Sequence, residues 1–168
     1  MNLEKNENSF LNSKWSMFYH LPQNKDWDLV SYVKIFDCID TSEKVTALND
    51  YIPENIVKYC MLFVMLENVT PMWEDVKNRN GGCFSYKVVN KFVFGVWKEL
   101  LYLLCTNKLT VNPSHMLKVN GITISPKRNF CIIKIWMSDC STQSTSTIIP
   151  VENLANMGCI FKKHQPEF

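Results

Sequence analysis

A carboxylate stands directly beside a large electron-rich ring in the run Pro71-Met72-Trp73-Glu74-Asp75, and two further indoles, Trp27 upstream and Trp136 downstream, can join it. These are the parts that hold a flat, positively charged base: two indole faces to sandwich the ring, and an anion to meet its charge and its hydrogen-bond donors. Guanine methylated at N7 is such a base, because the methyl group makes it cationic and leaves its N1–H and N2–H₂ edge to donate to a carboxylate. Stacking one base on an aromatic ring is worth about 1–3 kcal/mol, and a desolvated cation–π contact adds up to about 2 kcal/mol. Two rings can therefore supply much of a micromolar affinity, which corresponds to about −8 kcal/mol.

An arbitrary tryptophan is more often core than ligand contact, so each ring has to be weighed. Trp27 stands between Asp26 and Asp28 after a polar loop, and Trp73 precedes two acids; neither setting looks like a core strand. Trp136 closes an apolar run at 131–135, which suits a core role as well as a ligand contact, whereas Trp15 and Trp97 read as structural. For Glu74 the plain alternative is a solvated acid in the first turn of a helix, favoured by the helix dipole, and Asp75 takes that plain reading. Neighbouring helical residues point in different directions, so the two acids make a poor general acid–base dyad. There is no Gly-x-Gly-x-x-Gly or phosphate-binding loop, His20, His115 and His164 are isolated, and no cysteine–histidine pair has a recognisable context. The sequence points to binding rather than catalysis and implies no cofactor or metal.

The elements that must position these groups follow from hydrophobic period and turn chemistry. Segments 15–20 and 30–36 read as strands separated by the turn residues 21–26, which leaves Trp27 at the end of a loop. Thr41 or Ser42 can cap a helix running to Tyr51, closed by Pro53. The run 59–66 suits a buried strand, and a short helix is expected from Trp73 to the Gly81-Gly82 pair. Strand 84–89 leads into a helix over 91–105 with Phe94, Trp97, Leu101 and Leu104 on one face. Strands 119–124 and 130–136 flank a basic hairpin tip, Ser125-Pro126-Lys127-Arg128-Asn129; a loop at 142–147, a short helix at 151–157 and a last strand at 159–163 complete the chain. Strands outnumber helices and lie in hairpin order, which supports an α+β domain with a mainly antiparallel sheet.

A chain of 168 residues with 46% hydrophobic and 20% charged residues fits one soluble globular domain. We expect a flexible arm over 1–12 and a single domain over 13–168. A net charge of +2 is too small for a broad nucleic-acid groove, so any anion site must be a local cluster. Seven cysteines without a Cys-x-x-Cys pair suit a reducing compartment and give no zinc knuckle. The polar N-terminus lacks a signal-peptide core and the longest apolar run is too short to span a bilayer. A cytoplasmic location is therefore expected.

At Pro71-Met72-Trp73-Glu74-Asp75, with Lys77-Asn78 and Gly81-Gly82, the chain resembles the eukaryotic translation initiation factor 4E family, the mRNA cap-binding proteins. Supporting blocks are Lys14-Trp15, the Trp27 segment, Phe36-Asp37, the helix around Trp97-Lys98-Glu99-Leu100-Leu101, and Ile135-Trp136. The resemblance implies a curved antiparallel sheet with helices on its convex face and the cap, 7-methylguanosine, in a slot on the concave side. It implies stacking by Trp27 and Trp73, guanine recognition by Glu74, an N7-methyl contact by Trp136, and promotion of translation initiation. Phosphate contact falls to Lys127 and Arg128, because Asn129, Ile132 and Cys83 stand where the family carries its other cations; for Arg128 a solvated hairpin tip is an equal reading.

The resemblance also implies a dorsal face that docks a helical peptide of a translation scaffold protein. Ser42, Thr46 and Lys98 occupy positions where the family presents apolar residues, and Ser9-Phe10-Leu11 replaces its His-Pro-Leu. Two rival functions accompany the main one: a cap- or nucleotide-binding decoy or repressor that bypasses the usual scaffold, and a nucleotide-processing enzyme. Few glycines with many asparagines and lysines point to an AT-rich genome, viral or protist.

Overall fold

The computed structural model describes residues 9–168. Its elements are β1 (Phe10–His20), β2 (Val33–Thr41), α1 (Ser42–Tyr51), α2 (Glu54–Tyr59), β3 (Met61–Leu66), β4 (Gly82–Val89), α3 (Asn90–Cys105), β5 (Val119–Pro126), β6 (Phe130–Met137) and β7 (Ile160–Lys163). The strands form one sheet in the order β2-β1-β3-β5-β6-β4-β7, with every neighbouring pair antiparallel. This is the expected α+β class, a curved antiparallel sheet with its helices on one face and the other face left open.

Period-2 alternation sorts the side chains between those faces. Met17, Leu62, Val64, Ile122, Ile124, Ile133, Ile135, Phe84, Tyr86 and Val88 turn toward the helices and meet the apolar stripe of α3, Val93, Val96, Trp97, Leu100, Leu101 and Leu104, in the main core. Residues of opposite parity, Phe18, Phe63, Met65, Cys83 and Trp136, gather with Val69 in a smaller cluster on the open face. Each fully buried large aliphatic side chain contributes about 1.5–3 kcal/mol, so the helical side dominates stability and the small cluster forms a floor beneath the candidate site.

Local chemistry sets the helix ends. Thr41 caps α1, its hydroxyl accepting from Lys44 N at 3.3 Å. Helix α3 stops in a Schellman motif: Asn107 takes a positive φ of 57°, Lys108 N–H donates to Leu103 O at 2.8 Å and Asn107 N–H to Leu104 O at 3.2 Å. Trp15 and Trp97 are buried structural residues, as read from sequence.

Several expectations need correction. Phe10, Leu11 and Asn12, placed in a flexible arm, belong to β1, where Phe10 pairs with Thr41; positions 1–8 lie outside the described residues. Segment 29–31 is a 3-10 turn, and β2 starts only at Val33. Pro53 opens the unexpected helix α2 rather than merely ending α1, and an unexpected 3-10 helix spans Pro113–Lys118. No helix forms at 151–157, where Val151 and Leu154 bridge around a turn with Asn153 at φ 63°.

The segment from Trp73 to Gly81 is also a series of turns, not a helix, because side chains take over the backbone's hydrogen bonds. Asp75 accepts from Thr70 N, Thr70 Oγ1 and Lys77 N, each at 2.8 Å, while Asn78 Nδ2 donates to Thr70 O at 2.9 Å and Met72 O at 2.8 Å. Asp75 is therefore the knot of this loop rather than a solvated first-turn acid. Burial opposes its ionisation, but the bonds from Thr70 and Lys77 prevail and hold its carboxyl below the ordinary aspartate range. Gly81 closes the loop so tightly that a Cβ there would lie 1.8 Å from Met137 O.

Candidate functional site

Trp27 follows the loop after β1 and keeps 51% of its surface exposed, unusual for an indole and enough to leave one face free. Its other face lies flat on His20, with ring centroids 4.3 Å apart and planes inclined by 2°. Tyr32 fills the space beside both rings, 5.1 Å from His20 and 6.3 Å from Trp27, and meets Phe63 edge-on at 5.3 Å.

Across the open face stands Trp73, half-buried at the margin of the small cluster and stacked on His164 with centroids 5.7 Å apart. His164 also touches Trp136, with centroids 4.9 Å apart. Trp136 is only 4% exposed, and its Nε1–H donates to Thr123 Oγ1 at 3.2 Å. Most of that ring is thus committed to the cluster. His164 Nδ1–H donates to Asn78 O at 2.7 Å, while its Nε2 is buried without a partner among the described residues. Burial holds its proton affinity below the ordinary histidine value, against the bond to Asn78 and with help from the charge of Lys134.

Glu74 is partly buried, and its Oε1 accepts from the backbone N–H of Glu167 at 3.1 Å. Its charge also reaches Tyr32, whose hydroxyl is pushed up to about 12, first by burial and then by Glu74. The Tyr32 hydroxyl therefore stays neutral.

The cations are distributed differently from the expectation. Lys127 and Arg128 are exposed at the β5–β6 tip, where Lys127 N–H donates to Phe130 O at 2.8 Å. Two other lysines share the open face with the indoles. Lys134 shares the open face with Trp136 two residues on, pairs with Ser85, and has its Nζ 6.0 Å from the Trp73 ring centroid. Lys162 pairs with Cys83 on the same face. Burial pushes the Cys83 thiol up, and the charges of Lys134 and Lys162 oppose that shift. Neither lysine has a carboxylate at salt-bridge distance among the described residues.

The structure thus brings Trp27, Trp73, Glu74 and Trp136 onto one face and leaves Lys127 and Arg128 at its rim. Sequence reasoning missed His20, Tyr32, Lys134, Lys162 and His164. Alternation counted back from Trp136 would have found Lys134; for His164 no local signal exists. On the opposite face, Ser42 and Thr46 sit one turn apart on α1, Thr46 Oγ1 donating to Ser42 O at 3.0 Å, and Asn49 joins α1 to Lys98 O on α3 at 3.2 Å. A shallow depression of about 430 Å³ there is lined by Ser42, Glu43, Thr46, Ala47, Asp50 and Tyr51.

The family model described as eukaryotic initiation factor 4E matches residues 10–165, the sheet and both walls included. The chain belongs to the eukaryotic initiation factor 4E family. Among relatives of that family, a translation initiation factor 4E homolog of Acanthamoeba polyphaga mimivirus is 33% identical over 88 residues, covering 52% of this chain and 28% of the relative. The factor of Eremothecium gossypii is 28% identical over 134 residues, 75% of this chain and 61% of its own length. The chain thus spans less than two thirds of either relative. A solved complex of C. elegans eIF4E-3 with the 4E-binding protein Mextli and a cap analog superposes with a TM-score of 0.70 at 21% identity, covering 80% of this chain and 76% of that one. Ascaris suum eIF4E-3 with m7G cap gives a TM-score of 0.70 at 18% identity and the same coverage. Likeness at these identities speaks for the 4E fold. Among the described residues, no helix is long and apolar enough to cross a membrane.

Proposed function

We propose that this protein binds the 7-methylguanosine cap of mRNA on the open face of its sheet and serves translation initiation in the cytoplasm, as a binding protein and not an enzyme. The observation that carries this reading is the pairing of a half-exposed indole on one wall, Trp27, with an indole and an adjoining carboxylate on the other, Trp73 and Glu74. The cationic base enters between the rings. Glu74 exchanges the single amide of Glu167 for the N1–H and N2–H₂ of a cation, so one charge-assisted bond gives way to two in which the donor is charged as well. Trp136 offers the N7-methyl group an edge and chiefly stiffens the wall through His164.

Phosphate recognition in this reading shifts toward the sheet. Lys134 and Lys162 have no carboxylate at salt-bridge distance among the described residues, Lys134 lies by the Trp73 ring and Lys162 shares the open face with Cys83, so they meet the first phosphates. Lys127 and Arg128 at the hairpin tip take the more distant ones. On the helical face, the surface around Ser42, Thr46 and Lys98 docks a helical peptide of a translation scaffold protein. The acids Glu43 and Asp50 beside the depression favour a peptide with a basic flank.

Titration with 7-methyl-GTP and with GTP, followed by tryptophan fluorescence, tests the reading. The methylated nucleotide should quench the emission and bind clearly more tightly, and Glu74→Gln should erode the preference because the amide keeps an acceptor but loses the charge. Equal affinity for the two nucleotides would rule out cap recognition.

A further inference from the structure

His20 ends β1 with its ring on the open face and none of its surface exposed. Nδ1 lies 2.9 Å from Leu21 O and Nε2 lies 2.8 Å from Asp26 O. Both neighbours are carbonyl oxygens, which only accept. A neutral imidazole carries one N–H and would aim a lone pair at the second oxygen; only the imidazolium donates from both nitrogens. Turning the ring over would exchange both bonds for C–H contacts and leave the same two carbonyls without donors.

The two oxygens belong to the first and last residues of the loop that carries Trp27, so the ring closes this loop as a staple. Asn24 tightens it from within, its N–H donating to Leu21 O at 3.0 Å and its Oδ1 accepting from Asp26 N at 3.0 Å. Fixing the Asp26 carbonyl fixes the peptide plane that leads into Trp27, whose indole then lies parallel to the imidazole at 4.3 Å. We propose that His20 is the positioning residue for Trp27, acting as a doubly donating imidazolium that staples the loop 21–26 and supports the indole from behind.

The surroundings suit that charge. Two charge-assisted bonds and the indole face offset its desolvation. The charged residues of the loop and of the turn entry after Trp27 are Lys25, Asp26 and Asp28, a net negative set. Tyr32, tilted at 5.1 Å, keeps its hydroxyl neutral, and the residue opposite on β3 is the uncharged Met61. Loss of one proton removes one of the two staples, so Trp27 becomes mobile as the pH rises through that event.

The inference rests on the cap reading only in saying what Trp27 is positioned for, and its test needs no ligand. Histidine ¹⁵N chemical shifts and the emission that Trp27→Phe removes are followed together across about pH 5 to 9, a range that brackets ordinary histidine titration. The expected result is a doubly protonated His20 whose loss of a proton coincides with changes in Trp27 emission and in the amides of residues 21–27. In His20→Phe, which keeps a ring under the indole and removes both donors, the emission transition disappears and amide exchange in the loop rises about tenfold, the worth of one bond from a charged donor. A His20 ring that is neutral at every pH at which the protein is folded overturns the proposal. So does a ring that titrates while Trp27 and the loop amides stay unchanged. A failure to bind 7-methyl-GTP would count against the cap reading and leave this result standing.

Discussion

Trp27 and Trp73 are each backed by a histidine, and the two backings are built in different ways. Under Trp27 the histidine is local, its two nitrogens face two carbonyls at the ends of one short loop, and half of the indole remains in solvent. Behind Trp73 the histidine arrives from the C-terminal end of the chain, faces one carbonyl, and is wedged between Trp73 and the buried Trp136. One wall is held by a few polar contacts in a loop, the other by core packing. A slot of this kind can admit a flat ligand by moving one wall while the other keeps the carboxylate in register.

The sharpest way to break that contrast is to remove rings and read stability and binding separately. Trp136→Ala should cost about 3–5 kcal/mol of stability in urea unfolding, the range for deleting a buried aromatic, whereas Trp27→Ala, which removes a half-exposed ring, should cost only about 1–1.5 kcal/mol, half the value of a fully buried large apolar side chain. Trp27→Ala and Trp73→Ala should each weaken 7-methyl-GTP binding by about 1–3 kcal/mol, with Trp73→Ala losing more stability than Trp27→Ala. If the two single-ring variants unfold alike, the walls do not differ as described.

The cations sharpen the contrast further, since both lysines that share the open face with the indoles belong to the rigid side. Lys134→Ala and Lys162→Ala should each weaken 7-methyl-GTP by about 1–2 kcal/mol, the scale of a hydrogen bond to a charged group, and leave phosphate-free 7-methylguanosine unaffected. Lys127→Ala and Arg128→Ala should have smaller effects. The reverse order in calorimetry would return phosphate recognition to the hairpin tip.

Acid should act on the rigid wall through His164. Its folded form resists protonation, so as pH falls below the ordinary histidine value of about 6.5 the unfolded chain takes up the proton first. Stability is then lost across that range, and His164→Phe should flatten the profile measured by thermal unfolding. A smaller effect is expected from the tail: deleting residues 166–168 frees Glu74 from the Glu167 amide. That change should tighten cap-analogue binding by up to about 1.5 kcal/mol, the low end for a hydrogen bond to a charged group, because the bond is partly exposed.

Much of this was legible in the residues themselves. Alternation in β4 and β6 and the stripe of α3 are strong periodic signals, and the acids around Trp27 and Trp73 marked both rings as poor core candidates. What stayed hidden depends on partners distant in sequence or on side chains that replace backbone bonds. Asp75 and Asn78 satisfy the turns of their loop and so cancel the expected helix after Trp73. His164 reaches Asn78 across 86 positions, a contact no local pattern encodes. Trp136 fitted two readings because a strand-end indole on the open face can serve the floor and the slot at once; its burial now commits most of the ring to the floor.

A crystal structure of the protein with 7-methyl-GTP tests most directly whether the two walls form one binding site. The base should lie between Trp27 and Trp73 in van der Waals contact with both, with Glu74 accepting from N1–H and N2–H₂ in place of Glu167, and with the phosphates running toward Lys134 and Lys162. A base bound elsewhere, or resting on one indole while Glu74 still holds the Glu167 amide, would contradict the site.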